Sequence, residues 1–258
     1  MNVLDSNLIS ILAMASVAAA SGLIGAFALM RKMTLAADAM SHVALPGLGV
    51  AILLKLNPII GGAVALAIGA VLVWLLERKT MIATETIIGV LFSASLAVGT
   101  LLTPENELID TLFGDLAKLT FTQAIIGIVA AVVIIGLVLF LKSRLTIALI
   151  SPDLAKTSGL DYNRLNLWFL LLFVGTVLLG LNFLGILLMG SLIIVPAAAS
   201  KNFARSFNSD LIIAASVSIF SVLAGLAISE RFSIALGPTI ISVAAAVFFI
   251  SILFRRSG

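Results

Sequence analysis

The chain contains no cysteine and only one histidine, His42. Without cysteine there can be no disulfide, no thiolate metal site and no cysteine nucleophile. One histidine cannot build the His-Glu-x-x-His site of an intramembrane metalloprotease, and only it could serve as the base for a serine such as Ser41 or Ser191. No lysine follows a glycine, so the Gly-Lys-Ser/Thr loop that cradles phosphates is missing. Any ATP that drives this protein is therefore bound by another chain. Charge is scarce as well, at 10% of 258 residues, where soluble domains carry about a quarter.

What is there is apolar. Hydrophobic residues make up 62% of the chain, and the mean hydropathy is +1.27. This is the composition of an all-α polytopic membrane protein. Apolar runs broken by polar punctuation predict nine spans, over about 8–30, 35–54, 59–76, 86–102, 121–141, 165–181, 184–199, 211–228 and 234–254. Each is close to the roughly 20 helical residues that cross a hydrocarbon core, which leaves one transmembrane domain over residues 1–258. The first run contains small-residue spacings like those of a signal peptide. No Lys or Arg precedes Arg31, however, so it reads as the first span.

Basic residues set the expected orientation. Twelve Lys and Arg fall in one alternate set of connections and the termini beside it, and three fall in the other set. The richer side faces the cytoplasm, which puts the N-terminus outside and the C-terminus inside. The net charge of +3 says little more, and no nucleic-acid partner is expected.

Two connections are long. The outer one, 103–120, holds four acids and one lysine and has room for a short interfacial helix or a docking site for an extracellular partner. The inner one, 142–164, contains SPDLAKTSGLDYNR. Ser151 is a good N-cap, Pro152 suits the first helical position, and Asp153 complements the positive helix end. Leu154, Ala155 and Lys156 fill the helix, and Gly159 can close it in the left-handed conformation. A helix with both ends specified either touches a partner or simply connects two spans.

The second span reads DAMSHVALPGLGV from Asp38. Asp38 and His42 share a helix face at four-residue spacing, with Ser41 beside them as a weaker candidate. A charge at mid-bilayer costs roughly 2.5–3.5 kcal/mol on insertion scales, so an acid there faces a cavity, a partner or an ion. Carboxylate oxygen and neutral imidazole suit zinc or manganese, and they also suit a plain ion pair that pins helices together. Pro46 and Gly47 predict a break in the helix, which is tolerated at membrane depth only where protein or a water-filled cavity covers it. Glu85 reads as lying at a cytoplasmic edge.

The longer string RKMTLAADAMSHVALPGLGVAILL resembles the second-span signature of permease subunits of bacterial and archaeal zinc, manganese and iron ABC importers. The resemblance continues through ETIIGVLFSASLAVGTLL, TLFGDL, SPDLAKTSGL and LGILLMGSLIIVPAAASKNFARSF, from Ser21 to about Arg255. In SPDLAKTSGL, serine stands where the family's loop has aspartate.

The resemblance implies a type II ABC importer of the plasma (inner) membrane. In it, two permease copies form the pathway, separate ATPase subunits bind ATP below, and an extracellular metal-binding protein or lipoprotein delivers the ion. It implies that Asp38 and His42 handle the metal in transit, and that the helix from Pro152 to Ser158 is the coupling helix. No permanently bound cofactor is implied, and the chain itself is not an enzyme. Whether the second copy is identical or a paralogue stays open. So does the metal: DAxSH with Leu-Pro-Gly leans toward manganese and iron members, while His-Val-Ala also occurs in zinc-type sequences. A proton-coupled secondary transporter using Asp38, and a siderophore or cobalamin permease, are the remaining alternatives.

Overall fold

A computed structural model of the chain describes residues 3–33, 35–80, 82–103 and 120–254. The expected helix or docking site in the outer connection falls at 104–119, outside the described residues. Among the described residues all regular structure is helical. The helices are α1 (Val3–Met30), α2 (Ala36–Val43), α3 (Leu45–Leu53), α4 (Pro58–Lys79), α5 (Thr84–Leu102) and α6 (Phe121–Ile150). They continue with α7 (Pro152–Thr157), α8 (Tyr162–Leu184), α9 (Ile186–Phe203), α10 (Phe207–Phe232) and α11 (Leu236–Leu253).

Eight described segments are long and apolar enough to cross a membrane, with α2 and α3 together forming the second. The apolar part of α9, Leu188–Phe203, is shorter and carries Pro196 inside it. These nine segments overlap the nine expected from the sequence, eight of them long enough to span.

Helix α1 lies inside the bundle, packed on α6, α8, α9 and α10. Ala18, Ala26 and Phe27 are fully buried along it. Gly22 makes the close approach possible, since a Cβ there would stand 2.5 Å from the Ala214 carbonyl oxygen of α10. With lipid around the bundle, the exposed side is apolar too. Helix α6 exposes Ile126, Val129, Val133 and Phe140, which have lipid tails to meet instead of water.

The inner connection differs from the sequence expectation. Lys142 and Arg144 do not end α6, the fifth span, which continues to Ile150. Leu145 and Ala148 of this extension are fully buried with Ala155 of α7, and that apolar face keeps the helix going beyond its charges. The true connection is residues 151–161.

Local chemistry fixes the other ends. Asn57 Oδ1 accepts from Ile59 N at 3.0 Å to start α4, with Pro58 in the first turn. Thr120 and Gln123 form a capping box on α6, and Ser206 and Ser209 form one on α10. Between α8 and α9 the chain reverses at Gly185, whose φ of +82° suits glycine.

Candidate functional site

The second span is interrupted, though by less than Pro46-Gly47 suggests. Helix α2 ends at Val43, and Ala44 keeps near-helical angles (φ −68°, ψ −27°) before α3 begins at Leu45. Pro46 has no N–H to give the His42 carbonyl, so the ladder weakens one turn ahead of the proline. Gly47 serves packing: a Cβ there would be 2.6 Å from the Ala65 Cβ of α4 and 2.7 Å from the Gly61 carbonyl carbon. Pro46 and Gly47 also line a cavity of about 350 Å³ whose other walls, including Val50, Ile60 and Val64, are apolar.

Asp38 sits one turn upstream of that interruption. Its side chain is exposed and lines a second cavity, of about 250 Å³, between α2 and α5. Glu85, Gly89 and Phe92 of α5 form the facing wall. His42 is half-buried, its ring edge-on to Phe92 with centroids 5.3 Å apart and planes at 73°. Its Nδ1 is buried without a hydrogen-bond partner. No ion pair or hydrogen bond joins Asp38 to His42 among the described residues.

Ser41 behaves differently. It is fully buried, and its hydroxyl donates to the Asp38 carbonyl at 2.6 Å, so it braces the helix backbone and does not line the Asp38 cavity. Among the described residues no three Asp, Glu, His or Cys side chains lie together as a metal cage. The chain offers a carboxylate on a cavity, an imidazole with a buried Nδ1 that has no hydrogen-bond partner, and a second acid across from the first.

Two members escaped the sequence reading. Glu85, in the first turn of α5, shares the Asp38 cavity. Gly190 of α9 lets α2 seat closely, since a Cβ there would be 2.7 Å from the Asp38 Cα and 2.9 Å from its nitrogen. An acid at a span's edge and a Gly-Ser pair inside a later span were the signals available. Their proximity to Asp38 was not.

The short helix α7 forms a second feature. Ser151 Oγ accepts from Leu154 N at 3.3 Å, with Pro152 in the first turn. At the other end Gly159 has φ +72°, its N–H reaches Lys156 O at 3.1 Å, and Leu160 N reaches Ala155 O at 2.8 Å. That is a complete Schellman closure. Ala155 is fully buried against the bundle while Leu154 is 58% exposed. Asp153 and Lys156 are largely exposed and 3.8 Å apart. The presented surface of α7 is thus Asp153, Leu154, Lys156 and Thr157.

The described residues form an all-helical, multi-pass bundle, and the family to which the chain belongs makes it a membrane transport subunit. The chain belongs to the ABC 3 transport family, whose match covers residues 5–255. It is 34% identical over 239 residues to the high-affinity zinc uptake system membrane protein ZnuB of Haemophilus influenzae, covering 90% of this chain and 91% of that one. To the manganese transport system membrane protein MntC of Listeria monocytogenes it is 29% identical over 238 residues, covering 91% and 85%. The solved structure of PsaBC from Streptococcus pneumoniae in complex with Fab matches with a TM-score of 0.82 at 27% identity, over 94% of this chain and 89% of that one.

Proposed function

We propose that this chain is the permease through which an ATP-driven importer admits a divalent transition-metal ion, zinc or manganese, and that Asp38 is the residue the ion meets. The observation that carries the reading is the exposed Asp38 carboxylate, standing on a cavity within a membrane-spanning segment, opposite Glu85 and beside His42. Uncompensated, that charge opposes insertion; a passing cation offsets the cost. Relatives named for zinc and for manganese support the cargo class and leave the choice between them to experiment.

A transit site must release its ion, so an incomplete ligand set is functional. Asp38 supplies a hard oxygen and His42 a borderline nitrogen, while Glu85 is the second carboxylate on the same cavity. A second copy of the permease brings another such set and could complete the coordination. Binding requires an ionised carboxylate and a neutral imidazole, so protons compete with the ion and uptake weakens as the medium is acidified.

The partners follow from the same reading. ATPase subunits receive α7 on the cytoplasmic side, and an external metal-binding protein or lipoprotein delivers the ion. The N-terminus lies outside and the C-terminus inside, as the twelve-to-three split of basic residues argues.

The test is the complex reconstituted in vesicles with its ATPase and delivery protein. Zinc or manganese should stimulate ATP hydrolysis and accumulate inside. Asp38→Asn keeps the volume and removes the charge, and His42→Ala removes the nitrogen. Both should abolish uptake while the subunit still inserts and holds its ATPase. An apolar double variant, Asp38→Leu with His42→Phe, that transports normally would end the metal reading.

A further inference from the structure

Arg31 directly follows α1, and its guanidinium serves two other helices at once. One terminal nitrogen donates to Glu77 Oε1 of α4 at 2.5 Å, and the other donates to Asn166 Oδ1 of α8. Asn166 Nδ2 in turn donates to Glu77 Oε2 at 3.0 Å, closing a ring of three side chains from three parts of the fold. The Tyr162 hydroxyl adds a longer bond to Glu77 Oε1 at 3.4 Å, and Arg31 also lies over the Phe169 ring, 5.5 Å from its centroid. Trp74 Nε1 makes a second fastening between α4 and α8, donating to the Asn163 carbonyl at 2.9 Å.

The ring is well shielded. Side-chain exposure is 9% for Arg31 and 17% for Glu77, and Asn166 is buried, so water screens these bonds weakly. Both terminal nitrogens of the arginine and both carboxylate oxygens are engaged in one arrangement: the arginine fork spans two helices, and each carboxylate oxygen has its own donor. An apolar contact of the same size would hold these helices as well or better, and it could slide. A ring of directional, charge-assisted bonds has one register.

Its location gives that register a use. Tyr162 and Asn166 lie just beyond Leu160, whose N–H closes α7. Arg31 opens the tight turn into α2, a turn fixed by Lys32 at φ +61° and by the bond from Met33 N to Ala28 O. Asp38 follows Arg31 by seven residues. Along the chain, the ring thus ties the segment that follows the surface helix to the segment that leads to the carboxylate. We propose that Arg31, Glu77 and Asn166 are positioning residues that make the α7–α8 junction, the end of α4 and the turn into α2 move as one body. Displacement of α7 then reaches Asp38 instead of being absorbed in between. This rests on the reading above that an ATPase acts at α7.

The test uses the intact complex with its ATPase and delivery protein in vesicles. Metal ions imported and ATP hydrolysed are both measured and divided by the amount of assembled complex. A wild-type complex that hydrolyses ATP without importing zinc or manganese fails the functional reading itself, before any variant is compared. Arg31→Lys keeps the charge but replaces the planar fork by one compact group that cannot bridge both partners. Asn166→Leu keeps the branched shape and removes the link. In both, ions imported per ATP should fall roughly 2- to 30-fold, the range of a lost coupling contact. ATP hydrolysis per assembled complex should change little. If the ring were only adhesive, the variants would lower the amount of complex and leave ions per ATP unchanged. That outcome overturns the proposal, and so does failure of both variants to assemble.

Discussion

Gly190 of α9 lies so close to Asp38 that a Cβ on it would stand 2.7 Å from the Asp38 Cα. The carboxylate is therefore placed from behind by the absence of a side chain on a neighbouring helix. Gly190→Ala forces α2 outward, and Gly190→Val forces it further. Overpacking of this kind costs typically 1–3 kcal/mol, and here the strain falls on the backbone that carries Asp38. Uptake should fall in the order wild type, alanine, valine, although no candidate ligand is touched. Equal transport by all three, with equal amounts in the membrane, would show that the Asp38 backbone position is not critical.

Glu85 makes the next prediction. It faces Asp38 across one cavity, and Glu85→Gln removes its charge with little change in shape. If both carboxylates serve the ion, the glutamine variant should need a higher metal concentration for half-maximal stimulation of ATP hydrolysis. Losing one charged ligand contact, of order 1.5–3 kcal/mol, corresponds to a shift of roughly ten- to a hundred-fold. An unchanged metal dependence would leave Glu85 as a charge at the helix end, near the positive dipole.

How much of this was legible in the sequence depends on the range of the interactions involved. The spans were readable because lipid demands a long apolar run for each, and the ends of α7 were readable because Ser151, Pro152 and Gly159 act on their own neighbours. The extension of α6 past Lys142 was hidden, because its cause is the burial of Leu145 and Ala148 in the same apolar core as Ala155. The nearness of Glu85 and Gly190 to Asp38 was hidden for the same reason. The ring of Arg31, Glu77 and Asn166 joins residues 46 and 135 positions apart, and no local pattern announces it. At Pro46-Gly47 the missing donor acts on His42 upstream, and the role of Gly47 as a seat for α4 was hidden because α4 is remote in the sequence.

Orientation can be tested with little risk, because the chain has no cysteine of its own. Leu56→Cys, at an exposed position before α4, should be labelled by an impermeant thiol reagent from outside intact cells. Ser158→Cys, exposed at the end of α7, should be labelled only after the membrane is opened. The reverse pattern would invert the assignment drawn from the basic residues.

The last prediction separates the two sides of α7. Ala155 is fully buried beside Leu145 and Ala148, so Ala155→Leu strains the bundle and should lower the amount of folded subunit. Leu154 is 58% exposed and belongs to neither apolar core cluster, so Leu154→Asp should leave the subunit folded at wild-type levels. A partner surface that receives Leu154 would meet a new charge instead of an apolar side chain. ATPase association or metal-stimulated hydrolysis should then fall, by about ten-fold for a buried interface contact worth more than 1 kcal/mol. Gly159→Val acts on the same helix from its end, since a β-branched residue tolerates φ +72° poorly and the Schellman bonds would open. It should resemble Leu154→Asp in transport while costing more in stability. Normal ATPase association and normal transport in Leu154→Asp would make α7 a connector between α6 and α8, and the force on the bundle would have to enter elsewhere.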